Sequence, residues 1–214
     1  MMELDLFKAK QLVKLFRLQD MASVQKALWH FKDHMNGSEQ MNSYQFLHAL
    51  YKLIPNHLTW IRRPENIQHI VYRFMTFQNN LPRCGVVIIC QNHILILKSV
   101  YGKHMMFPMG KQNPNEPNHE CANRECLEET GLDLQLHQNS DFITFNEKSQ
   151  STRHMFFSIL SCDIDSIIIR PQCHYEVSEY KWVTIDWFKP NKPFRSFNNE
   201  SWATLIQQIK QRLS

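Results

Sequence analysis

The segment RECLEETGL, Arg124 to Leu132, places Glu125, Glu128 and Glu129 at positions i, i+3 and i+4. In a helix that spacing puts three carboxylates on one face, where like charges repel. Oxygen donors grouped in this way suit a hard divalent cation, Mg2+ or Mn2+. Such an ion also binds phosphate oxygens, so the chemistry indicated is cleavage of a phosphate linkage by water. The plain alternative is a solvated acidic helix face.

These carboxylates need a helix to hold them, and residues Pro117 to Thr130 read as one, ended by Gly131. Before it, β-branched runs VVIIC and HILILKSV are separated by the turn-like QNH and predict a hairpin; GKHMMFPMGK predicts a turn, a short strand and a loop. Strands are expected at FITFNE, HMFFSIL and YKWVTIDW, and a closing helix from about Ser201 to Leu213. Gly37 and Gly102 suit turns. From Leu4 to about Phe77 the pattern is helical, with Val24, Leu28, Phe31 and Met35 forming one apolar stripe, and NGSEQ breaking that helix at Asn36 and Gly37. The texture changes at QNNLPRCG. The expected organisation is α+β, an all-helical domain over residues 1–80 followed by an α/β domain over residues 81–214.

The whole chain sets wider bounds. Its 214 residues, 43% apolar and 21% charged, are those of an ordinary globular protein with length enough for one large or two small domains. The longest apolar runs fall far short of the roughly 20 residues needed to cross a bilayer, so no membrane partner is expected. The first residues, MMELDLFKAKQLVKLF, do not read as a cleaved signal peptide, which points to the cytosol or nucleus. Six cysteines (Cys84, Cys90, Cys121, Cys126, Cys162, Cys173) contain no CxxC pair and suggest neither a zinc site nor a disulfide framework. A formal charge of +4 and a pI near 8.7 permit a polyanionic partner without demanding one.

Residues 110 to 132, GKQNPNEPNHECANRECLEETGL, fit G-x5-E-x7-R-E-U-x-E-E-x-G-U without a gap, U being apolar. This pattern resembles the signature of the Nudix hydrolases. The flanking stretches LPRCGVVIIC, MMFPMGK and YEVSEYKWVTID, with ALWHFKDH in the helical part, resemble the mRNA-decapping branch of that family. The resemblance runs from about Leu4 to Leu213 and implies a Nudix α/β/α sandwich preceded by a helical regulatory domain and closed by a basic C-terminal helix.

What the resemblance implies for individual residues is specific. Glu125, Glu128 and Glu129 hold Mg2+ or Mn2+, the Gly110 carbonyl completes the shell, and Arg124 pairs with Glu116 or steadies a catalytic carboxylate. Glu176 acts as general base or additional ligand, with Glu179 in reserve. Trp29 and Asp33 lie opposite the apolar stripe, at i and i+4. Stacking of 7-methylguanine on Trp29 would contribute about 0.5–2 kcal/mol, and Asp33 would accept hydrogen bonds from the guanine edge. The alternative for Trp29 is packing against another helix or the second domain. Lys111 contacts phosphate, since Met109 stands where the family carries a lysine. The C-terminal cations Lys181, Lys189, Lys192, Arg195, Lys210 and Arg212 could follow an RNA backbone, with Arg195, Lys210, Arg212 and Trp202 as the contacts carried over; a solvated helix face is the alternative. Cys126 fills a position usually occupied by a larger apolar residue.

The implied reaction is hydrolysis of the mRNA 5′ cap to 7-methyl-GDP and 5′-monophosphate RNA in the cytoplasm and its mRNA-decay granules. An activator subunit on the helical domain and a hinge at QNNLPR are implied with it. Two other functions fit the same residues: a Nudix hydrolase of small nucleoside diphosphate derivatives, or a non-catalytic RNA-binding module.

Overall fold

The computed structural model describes residues 4–35, 41–58, 67–100, 104–146, 151–172, 176–188 and 197–214. Gly37, Gly102, Cys173, Lys189, Lys192 and Arg195 lie outside the described residues, as does the side chain of Asp33. The chain divides into two compact units, Met1–Asn80 and Leu81–Ser214.

The first unit contains helices α1 (Leu6–Phe16), α2 (Met21–His34), α3 (Ser43–Leu53) and α4 (Ile67–Asn80). The first three start where a side chain satisfies an otherwise orphaned amide: Asp5, Asp20 and Asn42 accept from the backbone N–H of Lys8, Ser23 and Gln45. Ser23 and Gln45 reach back to the cap amides and complete two capping boxes. The stripe Val24, Leu28 and Phe31 is the buried face of α2, packed with Leu12, Phe46, Leu50 and Phe74, and Met35 is partly buried at its end. Within this core Gln78 Nε2 donates to Gln25 Oε1 at 2.7 Å, so neither buried amide side chain lacks a partner.

The second unit is a mixed sheet between two helices. Its strands are β1 (Arg83–Cys90), β2 (His93–Ser99), β3 (Met105–Met106), β4 (Met109–Lys111), β5 (Phe142–Asn146), β6 (Thr152–Leu160) and β7 (Val177–Thr184); its helices are α5 (Asn118–Thr130) and α6 (Asn199–Leu213). The predicted hairpin forms through Gln91 and Asn92, whose φ of 45° and 62° give the left-handed turn that matches strand twist. Strand β1 is central: it pairs antiparallel with β2 and β4, and parallel with β6. Both of its faces are therefore covered, which explains the unbroken apolar run VVII. Val86 and Ile88 meet Cys121, Ala122 and Cys126 of α5, whereas Val87 and Ile89 share the opposite core with Leu205 and Ile209 of α6.

Two expectations shift. The segment expected as a loop, MGK, is strand β4, because its backbone completes a ladder on the first residues of β1. The closing helix begins at Asn199 rather than Ser201, since Asn198 caps it by accepting from the Ser201 N–H at 2.8 Å. Gly131 ends α5 at φ 78°, a left-handed conformation that disfavours residues with a Cβ. Among the described residues no helix is long and apolar enough to cross a membrane.

Candidate active site

Helix α5 carries the three glutamates, and the loop Gln112–Pro117 brings a fourth. Glu116 Oε1 and Oε2 accept from Arg124 Nε at 2.8 Å and Nη2 at 3.0 Å, a two-pronged pair. The loop is itself pinned, with the Asn113 N–H donating to Glu116 Oε2 at 2.8 Å and Gln112 Nε2 donating to Asn118 Oδ1 at 2.8 Å. These two amide residues went unnoticed in the sequence, although the clustered Asn, Gln and Pro of KQNPNEPN mark a loop able to bond to itself.

Arg124 does both things the sequence allowed. Besides holding Glu116, its Nη1 donates to Glu125 Oε1 at 2.7 Å and to Glu128 Oε2 at 3.3 Å, and Nη2 donates to the Lys111 carbonyl at 3.1 Å. One guanidinium thus links the loop, β4 and two carboxylates of α5, and offsets part of their repulsion. These acids push the Arg124 pKa above its ordinary value despite burial, which acts the other way. Burial would raise Glu116, but the bonds from Arg124 and Asn113 outweigh it and hold its carboxyl below the usual value.

The two deepest acids behave oppositely. Burial, then the charges of Glu128 and Glu176, raise the Glu125 carboxyl to about 7, with Arg124 opposing. Burial and then the Glu125 charge push Glu129 well above the ordinary range, although its Oε2 accepts the Met109 N–H at 2.9 Å. Gly110 makes room for Glu125: a Cβ added to it would overlap the Glu125 carboxyl carbon and both of its oxygens.

These residues fit a hard cation. The donors are carboxylate oxygens, and two are buried with too little positive charge around them to hold both as anions. Among the described residues no three His, Cys, Asp or Glu side chains already converge on one point; the Arg124 guanidinium lies between Glu125 and Glu128. Glu125, Glu128 and Glu129 are the residues that would hold the ion, with the adjacent Gly110 carbonyl.

Proton linkage gives a measurable consequence. Between about pH 4.5, where an unfolded glutamate ionises, and about pH 7, the folded chain binds protons at Glu125 that the unfolded chain releases, and Glu129 adds to this. Stability therefore falls as pH rises through that window. Glu116, with its lowered value, acts below it. In chelator, the unfolding temperature of the α/β unit is expected to drop from pH 5 to pH 8, and saturating Mn2+ at pH 8 should restore it, by about 2.7 kcal/mol at a hundred times Kd. An unfolding temperature that is flat in pH and indifferent to Mn2+ would contradict the assignment.

The structure separates the two candidate bases. Glu176 precedes β7, its carbonyl accepts the Val100 N–H at 3.0 Å, and its charge is felt by both Glu125 and Glu129. Glu179 lies farther along β7, each of its oxygens 2.9 Å from an ammonium, Lys98 or Lys181. Those two lysines hold its carboxyl below the ordinary value.

Other residues singled out from the sequence are less uniform. Trp29 on α2 is half-buried, outside the packed stripe. Met109 is buried in the core under α6, as an apolar replacement for a lysine permits. Lys111 follows Gly110 on β4. Of the residues singled out on α6, Lys210 is exposed and Trp202 and Arg212 are partly buried. Arg212 instead donates to Asp141 and to the Gln208 carbonyl, with its guanidinium carbon 3.8 Å from the Phe157 ring centroid. Trp202 is enclosed by Phe107, Phe188 and Phe197 at 6.4, 5.6 and 6.1 Å between centroids. Both therefore help to fix α6 to the sheet, through partners in distant segments that spacing could not supply.

The chain is 27% identical over 172 residues to mRNA-decapping enzyme subunit 2 of Arabidopsis thaliana, covering 78% of this chain and 45% of that protein. It is 26% identical over 217 residues to the m7GpppN-mRNA hydrolase of Saccharomyces cerevisiae, covering 90% of this chain and 22% of that protein. The chain thus spans less than half the length of these relatives. Among solved structures, a Caenorhabditis elegans Ap4A hydrolase complex is 19% identical with a TM-score of 0.47, over 61% of this chain and 97% of that one. A MutT protein from Methanosarcina mazei Go1 is 18% identical with a TM-score of 0.45, over 62% of this chain and 94% of that one. The NUDIX domain family matches residues 80–204, more than half of the chain, which therefore belongs to that family.

Proposed function

We propose that this Nudix hydrolase is an mRNA-decapping enzyme that cleaves the triphosphate bridge of the 5′ cap, releasing 7-methyl-GDP and 5′-monophosphate RNA. Held by Glu125, Glu128, Glu129 and the Gly110 carbonyl, Mg2+ or Mn2+ would polarise the bridging phosphates and acidify the attacking water. Glu176 takes the proton of that water, Arg124 sets the orientation of Glu125 and Glu128, and the Met109 N–H sets that of Glu129. Lys111 neutralises phosphate charge beside the glutamates. Capped mRNA is the substrate, and the cytoplasm with its mRNA-decay granules the place of action.

The observation that carries the choice of substrate is Trp29. An indole left only partly buried on α2, outside the core formed by its neighbours, is a platform for a positively charged purine, and Asp33 one turn away is the partner proposed for the guanine edge. Similarity to decapping enzymes that reaches into the helical unit supports the same assignment. Exposed Leu6, Phe7 and Leu15 on α1 support a protein partner on that unit, proposed to be an activator subunit.

The test is cap-labelled RNA incubated with Mg2+ or Mn2+. Labelled 7-methyl-GDP is the expected product, and Trp29→Ala should raise KM about 2–30-fold, the equivalent of the lost cation–π contact. In the same assay Glu176→Gln should lose roughly 10^2–10^4-fold in kcat, whereas Glu179→Gln should stay within a few-fold of wild type. RNA that remains capped while small dinucleotides are cleaved would reject the substrate and leave the hydrolase.

A further inference from the structure

Two cysteines at neighbouring strand ends meet at the edge of the α/β unit away from the glutamates. Cys90 closes β1 and is buried, whereas Cys162, just beyond the end of β6, is exposed. The parallel pairing of β1 with β6 sets Cys90 opposite Leu160. After Leu160 the chain bends at Cys162 and enters a 3-10 turn, Ile164–Ser166, begun by the Asp163 carboxylate, which accepts the Asp165 N–H at 3.1 Å. The bend brings Cys162 back to β1. There the Cys90 Sγ–H donates to the Cys162 carbonyl at 3.2 Å, although 72 positions separate the two residues.

The two thiols are unequal. Burial, and then the nearby Cys162 sulfur, pushes the Cys90 thiol above its ordinary value, so it keeps its proton and does not lead an attack on a solute. Cys162 faces solvent and is the sulfur that an oxidant meets first. Cys84, Cys121 and Cys126 are buried. A disulfide needs Cα atoms about 4.4–6.8 Å apart. With one sulfur already against the other residue's backbone, closure falls to rotation of the exposed Cys162 side chain.

We propose that Cys90 and Cys162 form a redox-modification site, which a peroxide closes into a disulfide and a small thiol reopens. The Cys162 sulfur attacks a peroxide oxygen and breaks the O–O bond; it becomes a sulfenic acid, and the other oxygen leaves as water. The Cys90 sulfur then attacks the Cys162 sulfur and breaks its S–O bond, and the hydroxyl departs as water with the Cys90 proton. The two thiols are oxidised and the peroxide is reduced. A reducing thiol reverses the step through a mixed disulfide.

The link closes a loop from Cys90 to Cys162 that contains β2 to β6 and α5 with its glutamates. Cross-linking so long a loop restricts the unfolded chain and stabilises the folded one. At about 3.3 Å per residue, Cys90 lies roughly 23 Å along β1 from Arg83, the ladder partner of Lys111, so the glutamates are left as they are. The link thus offsets the weakening that buried Glu125 and Glu129 cause at high pH without metal.

The reduced full chain is treated with hydrogen peroxide at pH 8 in chelator, denatured, blocked with iodoacetamide, digested and analysed by mass spectrometry. The expected product is a peptide pair joined through Cys90 and Cys162 that dithiothreitol separates. Oxidation should raise the unfolding temperature of the α/β unit by about 10 °C, and reduction should return it. Cys162→Ser, a change at an exposed position, should unfold where the reduced wild type does and show no rise with peroxide. Cys173→Ser should keep both the link and the rise. Peroxide that leaves Cys90 open to iodoacetamide, or that joins Cys162 to Cys173 or to a second chain, overturns the pair. A rise that persists in Cys162→Ser also overturns it, as does a Cys90–Cys162 link with an unchanged or lowered unfolding temperature.

Discussion

Glu129→Gln is expected to remove hydrolysis and, at the same time, to stabilise the metal-free protein at high pH. The amide retains an oxygen to accept the Met109 N–H, so the local geometry is conserved, but it is a far poorer ligand than a carboxylate for a hard cation. A loss in kcat/KM of roughly 10^2–10^4-fold is expected, of the order seen when one essential charged group is removed. The effect on stability has the opposite sign. Glu129 is 3% exposed, and burial raises its carboxyl well above the ordinary range. At pH 8, without metal, the folded state must either ionise this group unfavourably or hold a proton against the solution; the amide does neither. Thermal unfolding in chelator should therefore show the variant a few degrees more stable than wild type at pH 8 and equal to it at pH 5. A variant inactive because misfolded would be less stable at both pH values, so the two measurements together isolate the charge. Full activity in Glu129→Gln would remove this residue from the site.

Gly110→Ala should nearly silence the enzyme while leaving its fold in place. The substituted methyl overlaps the Glu125 carboxyl, which is a movable side-chain terminus, and the carboxyl must swing away from β4. In doing so it leaves Arg124 Nη1, now 2.7 Å from its Oε1, and the Gly110 carbonyl. A misplacement of about 1 Å in a reacting group can cost about 10^2-fold in rate, and a loss of that size is expected in hydrolysis. Calorimetric titration with Mn2+ should show at least about tenfold weaker binding, as for disturbance of residues that orient a metal ligand. The far-ultraviolet dichroism should be unchanged, because β4 keeps its backbone pairing with β1. Wild-type Mn2+ affinity and rate in this variant would show that Glu125 does not work from its position against Gly110.

Much of this molecule was legible locally. The α5 helix, its glycine terminator and the facing of its glutamates follow from a periodicity of about 3.6 residues and a left-handed cap. Those constraints act within a few residues of one another. The hairpin at Gln91 and Asn92 and the capped helices of the first unit are local in the same sense. The pattern from Gly110 to Leu132 likewise set the family, because the spacing of ligands on one helix and its preceding loop is a property of a continuous stretch.

Interactions between distant segments were decided only by tertiary structure. Arg124 could be assigned to Glu116 or to a catalytic carboxylate, and folding of the loop around Asn113 lets it hold both. YEVSEY offers Glu176 with Glu179 in reserve, and the pairing of β7 with β2 sets Lys98 opposite Glu179 and ties up its charge, while the charge of Glu176 is felt by Glu125 and Glu129 of α5. Arg212 and Trp202 have the composition of an RNA-binding helix. Residues from 14 to 95 positions away, Phe188, Asp141 and Phe107, take them into the packing of the sheet. Arg83, Lys111 and Arg153 are scattered along the sequence and become neighbours only because β4, β1 and β6 share one ladder. The sequence determined which groups could do chemistry, since ligand type and helical spacing are local; the sheet register decided which of them stand together, since strand pairing joins residues that no local pattern links.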